Sequence, residues 1–489
     1  MPQTNLGSYN NTRMKWLMIA RAVPDIEGMA VTGNACTNAN AHACSLSSLI
    51  DRQSHMFPAP LFLALLIVIT PIILLFDGPI IHGLVIAVTA ASVAIVALRI
   101  RPGEAGFLLS IIRPMAIVAA IPALWMLFQV LPLKNIGLAN PIWESAAAAL
   151  ERPLAGSISI DPGATLISFA RYLSAAAIAF VAAAVAVDHR RAEWILVALT
   201  VATTIIALMI LATGLGNFAF LSNSVGSPAS AATTDSVGLG IILAVATALH
   251  TFERAKTQQL GQGESAVWLR LTFAACLIAV AICSVALFVG ATRQAYFAVS
   301  CGVATFAVAI VGRRFRLGPW GYSAIVSVAL VVAIAAVALQ PRRQMMDLTL
   351  AFAARAPAPL IALTQRILTE TNWAGTGAGT FAAVLPIYRD IDELAAGSIA
   401  PTAASAIAVE MGRPFLWAIL MAAMALALTL LRGAVRRGRD SYYSMAGAGS
   451  VVAITLLAFG NVGLFSTPVL VTTAAVVGIA IAQSKSRSI

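Results

Sequence analysis

Residues 273–316 read "FAACLIAVAICSVALFVGATRQAYFAVSCGVATFAVAIVGRRFR". Two apolar runs, 268–289 and 294–312, meet at a four-residue turn holding Arg293, and the second run ends on Arg313, Arg314 and Arg316. Each run matches the roughly 20 apolar residues that a helix needs to cross a bilayer core. Their composition is continuous in Ala, Leu, Ile and Val, whereas a barrel strand would alternate over about ten residues. The pair is therefore a transmembrane helical hairpin with one arginine at one end and, counting Arg270, four at the other.

The rest of the chain repeats this pattern. Its 489 residues are 60% hydrophobic and only 10% charged, with a mean hydropathy of +0.89; soluble domains carry roughly 25% charged residues. Twelve spans are expected: 58–76, 79–98, 108–132, 164–187, 194–214, 231–250, 268–289, 294–312, 322–339, 414–431, 444–461 and 466–483. The fold class is all-α, a polytopic integral membrane protein. Residues 1–57 are polar and expected to form a disordered tail, with Met14, Met29 and Met56 as possible later starts; "MKWLMIARAV" is too short and interrupted for a signal peptide. Cys36 and Cys44 lie in that tail, while Cys276, Cys283 and Cys301 read as small core residues of the spans.

Charge orients the bundle. With both termini cytoplasmic, the inner span ends carry Arg99, Arg101, Arg190, Arg191, Arg254, Lys256, Arg270, Arg313, Arg314, Arg316, Arg432, Arg436, Arg437, Arg439, Lys485 and Arg487. The short connections on the other side carry Lys134, Arg152 and Arg293. This bias follows the positive-inside rule, so the net charge of +11 reports topology and requires no nucleic-acid partner. The same orientation puts two long segments outside, 133–163 and 340–413; the transmembrane regions are then 58–339 and 414–489. Long polar connections between otherwise short loops are where function is expected.

The larger outer segment balances Arg342, Arg343, Arg355, Arg366, Arg389 and Arg413 against Asp347, Glu370, Asp390, Asp392, Glu393 and Glu410, without lysine or histidine. A guanidinium grips two phosphate oxygens at once, so arginine-only basicity suits a diphosphate, beside the plainer reading of local ion pairs. The helical period of "PLIALTQRILTE" (359–370) suggests a helix along the membrane surface. Arg171 lies about two turns into its span, where an unpartnered charge costs roughly 3 kcal/mol or more. Arg293 opens another span with Tyr296 one turn on; each arginine either snorkels to the interface or meets an anionic head group. Asp235, in "SAATTDSVGLG", is either an acid near a helix N-terminus or a functional carboxylate.

Gly375, Gly377 and Gly379 in "WAGTGAGTFAAVLPIYRD" (373–390) form GxGxG, which lacks the spacing of a dinucleotide fingerprint and has no following Walker lysine. Two readings stand: a turn whose amides approach a ligand, or a tight turn between loop helices.

Taken in order, these pieces resemble the O-antigen ligase/polymerase superfamily of bacterial membrane glycosyltransferases. The matching stretches are "WMLFQVLPL", "NPIW" and "SISIDPGATLISFARYLS", then "ATRQAYFAVSCGVATFAVAIVG", "GTGAGTFAAVLPIY" and "AVEMGRPFLWAIL". The resemblance covers about residues 58–485. It implies a GT-C-like fold in the bacterial inner membrane with a periplasmic active face. It also implies transfer of glycan from one undecaprenyl diphosphate to a glycan or lipid acceptor in O-antigen, lipopolysaccharide or exopolysaccharide biosynthesis, beside other polysaccharide export proteins.

By the same resemblance, Arg171 and Arg293 clamp the leaving diphosphate with Arg389 or Arg413. Glu410 and Asp235 are the base candidates, and the glycines and Tyr296 lie at the substrate. No metal or cofactor is expected. Family members commonly carry a histidine in the stretch that reads "GSIAPTAASAIAVEMG" here, and this chain has none. Of His42, His55, His82, His189 and His250, only His82 lies on the expected outer side. That departure favours polymerase over ligase, with an inactive assembly subunit as a further alternative. A transporter or flippase is the rival from another class, disfavoured because the two halves of the chain do not look alike.

Overall fold

The computed structural model describes residues 58–75, 78–99, 102–132, 137–214, 228–258, 265–290, 292–314, 347–353, 356–389, 399–436 and 441–484. The expected polar tail and the expected span at 322–339 lie outside the described residues, as do Arg342, Arg343, Arg355, Asp390, Asp392 and Glu393.

The described chain is helical, without strands. Its first half holds α1 (Pro58–Leu75), α2 (Pro79–Arg99), α3 (Pro102–Val130), the short α4 (Ile142–Ala149), α5 (Pro162–Val185), α6 (His189–Gly214) and α7 (Pro228–Gln258). Then follow α8 (Ser265–Gly290), α9 (Arg293–Arg314), three short helices α10 (Ala358–Glu370), α11 (Phe381–Tyr388) and α12 (Ala403–Glu410), and finally α13 (Arg413–Arg436), α14 (Ser441–Leu457) and α15 (Thr467–Ser484). Nine of these are long and apolar enough to cross a membrane, and α1 and α14 contain shorter apolar helices. The protein is a polytopic, membrane-embedded helical bundle.

Side-chain size decides which helices lie inside. In a bilayer, helices gain little from hiding Leu from lipid, so close backbone approach carries the association. α7, α14 and α15 are rich in Gly, Ala, Ser and Thr and are buried on nearly all sides. α2, α3 and α13 carry larger apolar residues outward, including Leu84, Ile117, Leu124 and Met421. α9 crosses α14 glycine to glycine: a methyl group on Gly302 would lie 2.8 Å from the Gly449 carbonyl, and one on Gly449 would lie 2.7 Å from the Gly302 carbonyl. Gly478 of α15 similarly seats against the Ala179 carbonyl of α5, 2.3 Å from where a methyl would be.

The short helices form a layer with its own core. Leu360, Leu363, Ile367 and Leu368 of α10 are buried with Phe381, Val384 and Leu385 of α11 and Ala404 and Val409 of α12. The apolar face of α10, expected to lie on the membrane surface, is thus covered by the layer's other helices; Pro359, Ala362, Arg366 and Glu370 face outward.

α12 joins this layer to the bundle. Thr402 caps it in a reciprocal box with Ser405. Its first amides, Ala403 and Ala404, donate to the carbonyls of Asn461 and Ala458 at 2.8 Å each, in the break between α14 and α15.

The Gly302–Gly449 contact is tested by comparison with an open glycine. Gly449→Val is expected to lower stability by about 1–3 kcal/mol through overpacking, seen as a fall in thermal melting of the detergent-purified protein. Gly83→Ala, with nothing within 4 Å of the added carbon, is expected to leave melting unchanged or raise it.

Candidate functional site

The glycine run sits where α3, α5 and α12 meet. Gly375, Gly377 and Gly379 have φ of +77°, +108° and +78°, a region that side-chain-bearing residues avoid. Space also demands glycine at these positions. A methyl on Gly375 would be 2.3 Å from the Glu410 carbonyl, one on Gly377 2.3 Å from Ser159 Oγ, and one on Gly379 2.1 Å from Ser168 Oγ. The run therefore packs onto the segment entering α5 and onto the first turns of α5 itself.

Its amides are engaged within the chain. Gly375 N donates to Asn372 O at 3.0 Å, Thr376 N to Val409 O at 3.0 Å, Gly377 N to Glu410 O at 2.9 Å and Thr380 N to Gly377 O at 3.2 Å. Ala378 N donates to Gln129 Oε1 at 3.1 Å. Phe381 N donates to Glu410 Oε1 at 3.1 Å, and the Gly379 amide also reaches the Glu410 carboxylate. Of the two readings open from sequence, this geometry has the tight turn: the group it cradles is the protein's own Glu410 carboxyl.

Glu410 is buried, with 9% of its surface exposed. Burial pushes its carboxyl up to about 7, outweighing the two amide hydrogen bonds that favour the charged form.

Gln129, at the end of α3, was not singled out by sequence, although it is a lone amide in the apolar "WMLFQVLPL". It is fully buried. Its Nε2 donates to Ala374 O at 3.1 Å and to Glu410 O at 2.9 Å, so one side chain binds both ends of the glycine turn and the end of α12. Ile160 N completes the seam by donating to Thr376 O at 2.9 Å.

Below the turn lies Arg171. One α-helical turn separates it from Ser168, which touches Gly379. Its Nη2 lies 2.6 Å from Nδ1 and 3.0 Å from Nε2 of His82 on α2, and no carboxylate pairs with it among the described residues. An imidazole nitrogen that accepts from a guanidinium carries no proton, so His82 meets Arg171 as an acceptor. Two residues nominated separately in the sequence, 89 positions apart, are thus brought together.

The other nominees go elsewhere. Arg413 forms an ion pair with Asp347 at 2.8 Å and donates to Leu368 O at 3.2 Å, which fastens the start of the layer and the end of α10. Arg389 is half-buried just past α11. Arg293 is exposed as the first residue of α9, and no hydrogen bond or ion pair joins it to Arg171. The Tyr296 hydroxyl donates to Leu287 O at 3.0 Å, closing the α8–α9 turn. Asp235 is fully buried on α7; its Oδ1 accepts from Asn461 Nδ2 at 2.7 Å, and Gly463 packs on Oδ2. Asp235 and Glu410 therefore attach to opposite ends of α12.

Among the described residues, no group of three or more His, Cys, Asp or Glu is placed to hold a metal. By sequence the chain matches no protein family model and no characterised protein.

Glu410 makes stability fall as pH rises. Between its ordinary value of 4.5 and about 7 the folded protein holds a proton that the unfolded chain has released. Stability from this group is greatest below that window, declines through it and is level above. The span corresponds to about 3 kcal/mol. Glu410→Gln is expected to flatten the pH dependence of melting between pH 4.5 and 7; an unchanged slope assigns it to other groups. Gln129→Leu, which removes the Gln129 bonds to Ala374 O, Glu410 O and Ala378 N, is expected to destabilise the layer by about 2–4 kcal/mol, read as faster amide exchange at residues 374–381 while α7 and α14 stay protected.

Proposed function

We propose that this chain is a membrane glycosyltransferase of the O-antigen ligase/polymerase kind. It works at the periplasmic face of a bacterial inner membrane on glycan carried by undecaprenyl diphosphate. The observation that carries this reading is Arg171: a cation inside a span, under a lid of loop structure, set against the ring of His82 and paired with no carboxylate among the described residues. Such a charge is stable where it meets an anion, and a lipid diphosphate presents one at that depth.

Further support comes from the arginine bias, which puts the layer of short helices outside, and from the order of motifs along the chain. The reading includes twelve spans in a GT-C-like arrangement, with both termini cytoplasmic, and residues 322–339 as the ninth.

In the reaction, an acceptor hydroxyl attacks the anomeric carbon of the donor sugar. The bond from that carbon to the diphosphate oxygen breaks, and the diphosphate leaves with the electron pair. Arg171 spreads the charge that develops on the leaving group, with Arg293 or Arg389 as the second cation. The acceptor proton goes to a carboxylate; Glu410, beside the lid, is favoured over Asp235, which is wholly enclosed. With no histidine between Gly397 and Gly412, polymerisation of lipid-linked units is favoured over transfer to a lipid acceptor.

The test is genetic and chemical. In the native host, Arg171→Ala is expected to reduce polymer formation about a hundredfold at normal protein levels, with single repeat units accumulating on undecaprenyl diphosphate at the periplasmic face. Complete chains left on the carrier would make the protein a ligase. Units trapped on the cytoplasmic face would overturn both in favour of a flippase, and normal polymer would remove Arg171 from the chemistry.

A further inference from the structure

A second feature of the lid is aromatic. Trp373 lies two residues before the first glycine of the turn, and it is 57% exposed although its backbone is held on both sides. Its N–H donates to Asn372 Oδ1 at 2.7 Å, and its carbonyl lies against Gly412, 1.9 Å from where a methyl on that glycine would be. Its ring leans on Trp125 of α3 at a centroid distance of 6.3 Å. Trp125 in turn stacks on Phe128 at 5.6 Å and on Phe415 at 6.0 Å. Trp125 is held by the lid itself, its Nε1 donating to Met411 O at 3.2 Å. The result is a rigid aromatic ledge with one indole open to the surroundings. Asn372 and Glu370 are exposed just before it in sequence, and Arg366 reaches Glu370 at 3.4 Å.

A pyranose ring has an apolar C–H face and a rim of hydroxyls. It fits a fixed aromatic face with amide, carboxylate and guanidinium groups nearby, the pattern of a few placed polar groups around an apolar wall. The height of the ledge agrees. The Tyr172 hydroxyl donates to Ala119 O at 2.8 Å, so Arg171 is level with about that point of α3. Trp125 is six residues further along α3 toward the lid, about 9 Å at 1.5 Å per residue. A diphosphate on Arg171 would present its first sugar near that level.

We infer that Trp373, backed by Trp125, is the platform on which the first sugar ring of the lipid-linked substrate stacks. This deepens the diphosphate reading of Arg171 and rests on it. The competing role for an exposed tryptophan at this depth is an anchor in the lipid interface, and the two roles differ in what covers the ring.

The test uses the full-length protein in lipid nanodiscs and two probes: geranylgeranyl diphosphate, and the same lipid diphosphate carrying one N-acetylglucosamine. Wild type is expected to bind the sugar-bearing probe about five- to tenfold more tightly, the size of one aromatic stacking contact. Trp373→Ala is expected to erase that difference while leaving the affinity for the bare probe within about twofold. Trp373→Phe, which keeps a ring, retains most of it and guards against a folding defect. In wild type the sugar-bearing probe shields Trp373 from an aqueous quencher. Equal affinity of wild type for both probes, or Trp373 fluorescence quenched by brominated lipid with either probe bound, overturns the platform and leaves an interface anchor. Failure of wild type to bind either probe removes the diphosphate reading itself and the platform with it.

Discussion

A chain that leaves its helices at the edge of a bilayer must find acceptors for every amide it exposes. Seven consecutive amides, from Gly375 to Phe381, find theirs in Asn372, Val409, Glu410, Gln129 and Gly377. Two side chains make this closure possible. Gln129 reaches up from the last turn of α3, and the Glu410 carboxyl fills the concave side of the turn as an acceptor. The glycines are required because the turn lies directly on Ser159 and Ser168. Once that seam is closed, the layer of short helices is fixed over α5 and Arg171 lies beneath it.

α12 gives the seam its mechanical connection. It is eight residues long, so about 12 Å separates its ends. One end is capped by carbonyls in the break between α14 and α15, where Asn461 holds Asp235; the other ends on Glu410. A buried carboxylate of the bundle and a buried carboxylate of the layer are thus linked by one rigid element. Displacement of the break would move the floor of the glycine turn, so the two sites act as one unit in packing even though they are far apart in sequence.

Much of this was legible in the sequence because membrane solvation leaves a coarse signal. Continuous apolar runs marked the helices, and the bounds of α2, α5, α8, α9 and α15 fall within a few residues of those runs. The loop helix at 359–370 was visible in its period, but the surface that covers it was not. An amphipathic face looks the same whether it meets lipid or Phe381 and Val384. Within the site, the sequence offers the three glycines for substrate and Glu410 as a base, but not the hydrogen bonds by which the turn and that carboxyl hold each other. Short motifs specify backbone shape without saying whether the partner is internal. His82 and Arg171 were each visible, yet their pairing depends on how α2 packs on α5. Gln129 carried a signal, a lone amide in an apolar run, whose meaning appears only when three distant segments converge on it.

No carboxylate pairs with Arg171 among the described residues, and the proposed reading is that an external diphosphate does. The most direct measurement is a cryo-electron microscopy map of the protein in nanodiscs with an excess of polyprenyl diphosphate. The account predicts density for the two phosphates beside Arg171 and His82, beneath Gly379, and its loss in Arg171→Ala with the glycine turn intact. Phosphate density elsewhere, with the Arg171–His82 pair unchanged, would contradict it.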